Sequence, residues 1–339
     1  MNPYSRLRDP ASRMPLAELL PLPHPWAVYL EPTNVCNFKC KFCPESFADY
    51  EQQVGGFRNM DAGLYDKVIS DLVALGKLKV LRFYMLGEPL LNKQLGAMIR
   101  KAVDAGVAER TEVTTNATAL TEQRAHELVD SGLAYLRVSI YGVTDEQNLE
   151  VTGSKVPVAR ILENVRTFRR VRDERGTDKP FLNVKMIDSF NAETNQSFLD
   201  MYRPVADEAV IEKPMNWNEF GNRDLIAGVY GTSMQSSHEL FPYRKDACPF
   251  PFFNMVINAD GDVTVCGVDW NKSTKTGNVR DQSLAAIWFG PVLREFRRMH
   301  LEGRRHENEA CRNCTYLYTL PDNLDGLSPV RREQILKPT

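Results

Sequence analysis

A basic surplus is absent from this sequence: 42 lysines and arginines stand against 44 acids among 339 residues, a net charge of −2. Without excess cations to neutralise a phosphate backbone, DNA or RNA is not the expected partner. Long apolar runs are missing as well. The first apolar stretch is interrupted by Pro15, Pro21, Pro23 and Pro25, and no later one approaches the ~20 residues a membrane-spanning helix needs. Neither a signal core nor a membrane partner is expected, and the cytoplasm is the expected location. Cysteine is scarce and odd in number, seven in all, too few for a disulfide-stapled scaffold. Only five histidines occur, and there is no glycine-rich phosphate loop or nucleophile elbow. What is present, 43% hydrophobic and 25% charged residues, is an ordinary globular composition with enough chain for one large domain or two moderate ones.

From Trp26 to about Pro214, short β-type runs alternate with amphipathic helical runs, which predicts an α/β domain with a parallel sheet. Strands are expected at residues 27–30, 80–84, 112–115, 135–140, 182–187 and 209–212. The first connecting helix illustrates the pattern: Asp61 can cap it, Leu64, Val68, Leu72 and Leu75 share one face, and Gly76 can end it. Such an arrangement gathers its loops at the carboxyl ends of the strands, where ligands bind. Residues 215–247 are irregular and polar. A hairpin follows, with 252–257 and 263–265 flanking the turn residues Asp260 and Gly261, and then a helix from about 283 to 300. The expected division is an N-terminal extension (1–26), an α/β domain (27–215), a linker (216–247), a small β-hairpin/helix module (248–320) and a polar tail (321–339).

The cysteines fall into two groups. Cys36, Cys40 and Cys43 lie just after the first strand. Three thiolates so close together could hold three corners of an iron–sulfur cubane, leaving the fourth iron open to chemistry. Zinc is the alternative, but a structural zinc takes four ligands and the nearest histidine, His24, lies across a proline-rich stretch. Cys248, Cys266, Cys311 and Cys314 suit a fully ligated cubane or a zinc tetrahedron equally.

The spacing of Cys36, Cys40 and Cys43 after the first strand resembles the signature of the radical S-adenosylmethionine (SAM) superfamily, over about residues 27–215. Further motifs occur in the family's order. Gly87, Glu88 and Pro89, after the second strand, resemble the segment that binds the SAM amino group. Thr115 and Asn116, and Ser139 on the fourth strand, resemble the ribose- and carboxylate-binding positions, while Phe42 matches the aromatic beside adenine. Met186 or Asp188 corresponds to the adenine position on the fifth strand. An arginine that meets the SAM carboxylate in many members has no counterpart in Val151-Thr152-Gly153-Ser154-Lys155. The four later cysteines, with Gly261, Gly277-Asn278-Val279, Leu284 and Trp288, resemble the shortened SPASM domain called a twitch domain.

This resemblance implies a partial (β/α)6 TIM-like barrel with a small C-terminal iron–sulfur module, two [4Fe–4S] clusters (one SAM-binding, one auxiliary), SAM, and an external one-electron reductant of flavodoxin or ferredoxin type. It further implies a 5′-deoxyadenosyl radical that abstracts hydrogen. The expected activity is oxidation of an alcohol in a small sugar, aminocyclitol or nucleoside-type metabolite of antibiotic biosynthesis, as in enzymes of the 2-deoxy-scyllo-inosamine dehydrogenase type. Alternatives are a radical epimerase or C–C bond-forming enzyme on a sugar, a peptide- or protein-maturing enzyme, and a non-enzymatic iron–sulfur or zinc module. The two cysteine sets leave no spare thiol to quench a radical, so Tyr84 or Tyr141 would have to serve as hydrogen donor. Only 35 residues precede Cys36, fewer than the ~40 of a self-folding peptide-binding domain. An alcohol radical needs a base, for which Glu212, Lys213, Asn216, Glu219 and Arg244 are candidates against their plainer reading as solvated loop residues. His126 and His300 are expected at the surface of helices.

Overall fold

Six short runs form six parallel strands in the computed structural model, which describes residues 14–213 and 245–337. They are β1 (Ala27–Leu30), β2 (Val80–Arg82), β3 (Thr111–Thr115), β4 (Tyr135–Ile140), β5 (Phe181–Ile187) and β6 (Glu208–Glu212). The second strand is shorter than expected, although Phe83 N still donates to Glu112 O at 2.8 Å. Helices α1 (Ala62–Leu75), α2 (Leu95–Asp104), α3 (Glu122–Asp130), α4 (Asp145–Thr152), α5 (Val158–Glu174) and α6 (Ala192–Tyr202) join or follow them. In α1 the Asp61 carboxylate accepts from Leu64 N at 2.8 Å, and Leu64, Val68 and Leu72 are buried. No described helix is long and apolar enough to cross a membrane.

The hairpin belongs to the same sheet. Strand β7 (Asn254–Ile257) lies parallel to β1, with Ala27 opposite Asn254 and Leu30 opposite Ile257. Strands β8 (Asp262–Thr264) and β9 (Lys275–Asn278) follow antiparallel, so the order is β6-β5-β4-β3-β2-β1-β7-β8-β9. The single helix expected at 283–300 is two, α7 (Leu284–Trp288) and α8 (Pro291–Leu301). Pro291 has no N–H to continue a helix and pushes the preceding residue out of helical geometry, and Gly290 accordingly sits at ψ 161°.

Alternation gives the barrel wall two faces. Val28, Leu30, Leu81, Phe83, Val113, Leu136, Val138, Ile140, Leu182, Val184 and Met186 join one core with the helices. The intervening residues, Tyr29, Arg82, Glu112, Thr114, Arg137, Ser139, Asn183, Lys185, Glu208 and Glu212, project from the opposite, concave face.

Where β1 ends, Glu31 is buried at 3% exposure and its Oε2 accepts from Ala259 N in the hairpin at 3.0 Å. Burial outweighs this bond and the pull of Lys272, so the carboxyl is pushed up to about 6. A raised carboxyl stabilises the fold fully below its unfolded value of 4.5, and that contribution is lost as the pH climbs through about 6. The difference amounts to about 2 kcal/mol. Urea titrations of Glu31→Gln should therefore show a fall in unfolding free energy between pH 4.5 and 6.5 that is shallower by this amount, and an unchanged slope would remove Glu31 as its source.

Candidate functional site

Strand β1 opens into the loop that carries Cys36, Cys40 and Cys43. Its backbone is held by the end of α4: Lys39 N donates to Thr152 O at 2.8 Å and Lys41 N to Val151 O at 2.9 Å. Gly153, at φ 68°, ends α4 in the left-handed region and leaves those carbonyls to the loop. The stretch without the expected arginine thus anchors the cysteine loop. Cys43 N closes back on Cys40 O at 2.8 Å, and Lys39 reaches the buried Glu45 at 2.8 Å. Phe38 and Phe42 flank Cys40 and pack on Tyr141, at ring separations of 6.4 and 5.2 Å. The Tyr141 hydroxyl bonds to Ser139, and burial pushes its pKa well up.

The loop after β2 locks against this one. A Cβ on Gly87 would fall 2.3 Å from Thr33 O and 2.8 Å from Val35 O, so only glycine fits. Glu88, 3% exposed, is a hub: it accepts from Leu90 N at 3.0 Å, from the Thr115 hydroxyl at 2.6 Å and from Asn116 N at 2.7 Å. Its pKa is raised by burial, against the opposing effect of these donors. Pro89 starts a short 3-10 turn, Pro89–Leu91. The Asn116 side chain donates to Asn37 Oδ1 at 2.9 Å, tying the end of β3 to the cysteine loop. The expected SAM-binding positions on the first four strands therefore meet around one loop. On the fifth, Met186 points its side chain into the core, and Asp188 accepts from Phe190 N and Asn195 Nδ2, each at 2.8 Å.

Sequence reasoning missed Lys185. It stands opposite Ser139 in the β4–β5 register, with its ammonium 5.6 Å from the centre of the Tyr141 ring. Further along the concave wall Glu212 is ion-paired with the buried Arg137, Asn183 donates to Glu208 at 2.8 Å, and Arg82 donates to Glu112 at 2.9 Å. Tyr84 packs edge-on against Tyr29 at 5.5 Å. Lys213 is exposed, while Asn216, Glu219 and Arg244 lie outside the described residues.

Cys248, Cys266, Cys311 and Cys314 line one cavity beside β8 and α8. Asn308 Oδ1 accepts from Cys311 N at 3.2 Å, and Arg305 donates to the carbonyls of Cys311 and Cys314 at 2.6 and 3.1 Å. His300 is not on the surface as expected: it is 1% exposed and lines this cavity. The two cysteine regions meet through aromatics, since Trp270, just after Cys266, packs on Phe47 at 5.4 Å and on Tyr50 at 6.2 Å.

Both sets fit iron–sulfur ligation by donor chemistry. Burial, the largest cause in each case, pushes Cys36 up to about 12 and Cys40, Cys43, Cys248, Cys266 and Cys311 well up. Buried thiols of this kind gain a strong partner when metal displaces their protons. The fit rests on that chemistry, since among the described residues no three His, Cys, Asp or Glu side chains are already drawn around a metal-ion position.

A family model described as the radical SAM superfamily matches residues 30–203, and one described as an iron-sulfur cluster-binding domain, SPASM, matches residues 248–315. A dTDP-4-amino-4,6-dideoxy-D-glucose ammonia-lyase of Streptomyces venezuelae is 36% identical over 155 residues, 44% of this chain but only 30% of that protein. An S-adenosyl-L-methionine-dependent 2-deoxy-scyllo-inosamine dehydrogenase of Niallia circulans is 24% identical over 288 residues, 85% of this chain and 91% of that one. Among solved structures, BtrN in complex with AdoMet and 2-DOIA shares the fold, with a TM-score of 0.53 and 20% identity over 86% of this chain and 92% of that one.

Replacing Glu88 by Ala strands two amides and a hydroxyl without an acceptor. Unfolding free energy should fall by about 3 kcal/mol or more, and Glu88→Gln, which keeps an accepting oxygen, should recover part of it. Equal urea midpoints for wild type and Glu88→Ala would show that the hub is dispensable.

Proposed function

The chain belongs to the radical SAM superfamily, and from that footing we propose that it oxidises an alcohol of a small sugar, aminocyclitol or nucleoside-type metabolite. The observation that carries this reading is the polar concave wall beside the Cys36 loop, where Lys185, Ser139, Asn183 and the Arg137–Glu212 pair offer donors and acceptors to a polyhydroxylated molecule. The matched length of the Niallia circulans dehydrogenase supports it.

Cys36, Cys40 and Cys43 would hold one [4Fe–4S] cluster, and Cys248, Cys266, Cys311 and Cys314 a second. With SAM bound and one electron supplied, the first would provide a 5′-deoxyadenosyl radical able to take hydrogen from an unactivated carbon. Gly87, Glu88 and Pro89 would shape the seat for SAM from one side and Thr115, Asn116 and Ser139 from another, and Phe42 would pack near the adenine. Thr115 and Glu88 act from behind, because their polar atoms are already bonded to each other. The rings of Phe38, Phe42 and Tyr141 keep water from the reacting carbon. Oxidation of an alcohol also removes the hydroxyl proton and one more electron: the proton needs a positioned base, and the cluster that Cys248, Cys266, Cys311 and Cys314 would hold would accept the electron. Glu212 fits that role: Arg137 fixes its carboxylate on the concave face while its side chain remains 32% exposed to incoming substrate. Lys185 would donate to a substrate oxygen. The reductant would be an external one-electron carrier of flavodoxin or ferredoxin type.

The local identity to the Streptomyces venezuelae ammonia-lyase favours deamination as a second reading. One assay separates them. Reconstituted anaerobically with dithionite and SAM, the protein should move deuterium from labelled aminocyclitols or aminosugars into 5′-deoxyadenosine and yield a product lighter by two hydrogens. Release of ammonia would favour the second reading, and absence of 5′-deoxyadenosine would end both. Glu212→Gln should slow product formation ~10²–10⁴-fold while SAM cleavage persists. Iron analysis should find about eight irons per chain, falling to about four in Cys36→Ala/Cys40→Ala/Cys43→Ala.

A further inference from the structure

His300 occupies the last turn of α8, and its ring lines the cavity bounded by Cys248, Cys266, Cys311 and Cys314. The Cys248 amide donates to His300 Nδ1 at 3.2 Å. An accepting Nδ1 has no hydrogen of its own, so the neutral ring carries its hydrogen on Nε2. That Nε2 is buried and has no hydrogen-bond partner among the described residues. A buried donor left without an acceptor bears its full desolvation penalty, which points to an acceptor that occupies the cavity in the working protein.

The other polar groups of the wall are already engaged. Asp269 accepts from Ser273 N at 3.0 Å, Thr274 N at 2.8 Å and the Thr274 hydroxyl at 2.6 Å. Arg305 spends its guanidinium on the Cys311 and Cys314 carbonyls and the Tyr318 hydroxyl. Phe296, 5.1 Å away, packs against the imidazole. The tautomer also decides what kind of contact the ring can make: a protonated Nε2 has no lone pair for iron, so it can donate but cannot ligate.

We propose that His300 Nε2 donates a hydrogen bond to a sulfur of the iron–sulfur cluster held by Cys248, Cys266, Cys311 and Cys314, and so raises the reduction potential of that cluster. The inference rests on the reading that these four cysteines hold one cluster. A donor to sulfur favours the more negative, reduced state, which is how such bonds set cluster potentials. His300 is thus a positioning residue for the cluster's charge.

The test uses the full-length Cys36→Ala/Cys40→Ala/Cys43→Ala variant, reconstituted so that only the second set can be loaded, with ¹⁵N-histidine labelling. In the reduced state, pulsed EPR should detect one weakly coupled histidine nitrogen with an exchangeable proton. Adding His300→Leu should abolish that coupling and weaken reduction about tenfold, equal to a shift of about 59 mV to lower potential for one electron. Should the leucine variant fail to fold, the coupling in the labelled parent decides alone. A loaded cluster with no histidine coupling, or with the strong coupling of a directly bound nitrogen, overturns the proposal. A parent variant that retains no iron overturns the cluster reading itself, and iron analysis reveals this before any EPR is recorded.

Discussion

Both cysteine regions depend on four residues. Ala27–Leu30 pairs in parallel with β2 on one side and with β7 on the other, so this short strand is the seam between the barrel wall and the hairpin. Its register is fixed by burial: a slip of one residue would send Val28 and Leu30 to the concave face and Tyr29 into the core. The Cys36 loop leaves the carboxyl end of this strand, and Cys266 follows the hairpin strand whose partner lies beside it. Glu31 fastens the seam further by accepting from Ala259 at the hairpin turn. The spacing of the two cysteine sets is therefore set by strand pairing, with Phe47, Tyr50 and Trp270 filling the space between their loops.

The concave wall follows a different rule. Its charges are partnered across strands, Arg82 with Glu112 on the adjacent strand and Arg137 with Glu212 two strands away. Buried ion pairs are weak contributors to stability, because desolvation consumes most of their attraction. Leucines would fill such a wall at least as stably, so its polarity is better matched to recognition than to folding. The helical face, by contrast, is dominated by apolar side chains.

Much of this was legible in the sequence because it is local. Strand and helix periods, the cap at Asp61, and the cysteine spacing all depend on neighbours a few residues away. The parallel pairing of β7 with β1 is not local, and a hairpin pattern says nothing about which edge it will join. The ion pair of Arg137 with Glu212 and the placement of Lys185 over Tyr141 are likewise contacts between separate strands. Two signals were available but unused. Met186 shares strand parity with Leu182 and Val184, which places its side chain in the core. His300 follows Leu293 and Phe296 at helical spacing, which puts it on the inward face of α8.

The shared strand also bears on the order of events at the ribosome. Synthesis delivers β1 and β2 early, yet the second partner of β1 emerges only with Asn254–Ile257, after all six strands of the barrel wall. Until then the nascent chain carries an unpaired, apolar strand edge, the kind of edge that recruits other chains. The cysteine loop hangs from the end of that edge, so translation of the hairpin completes the sheet and closes the flank of the Cys36 region in one event.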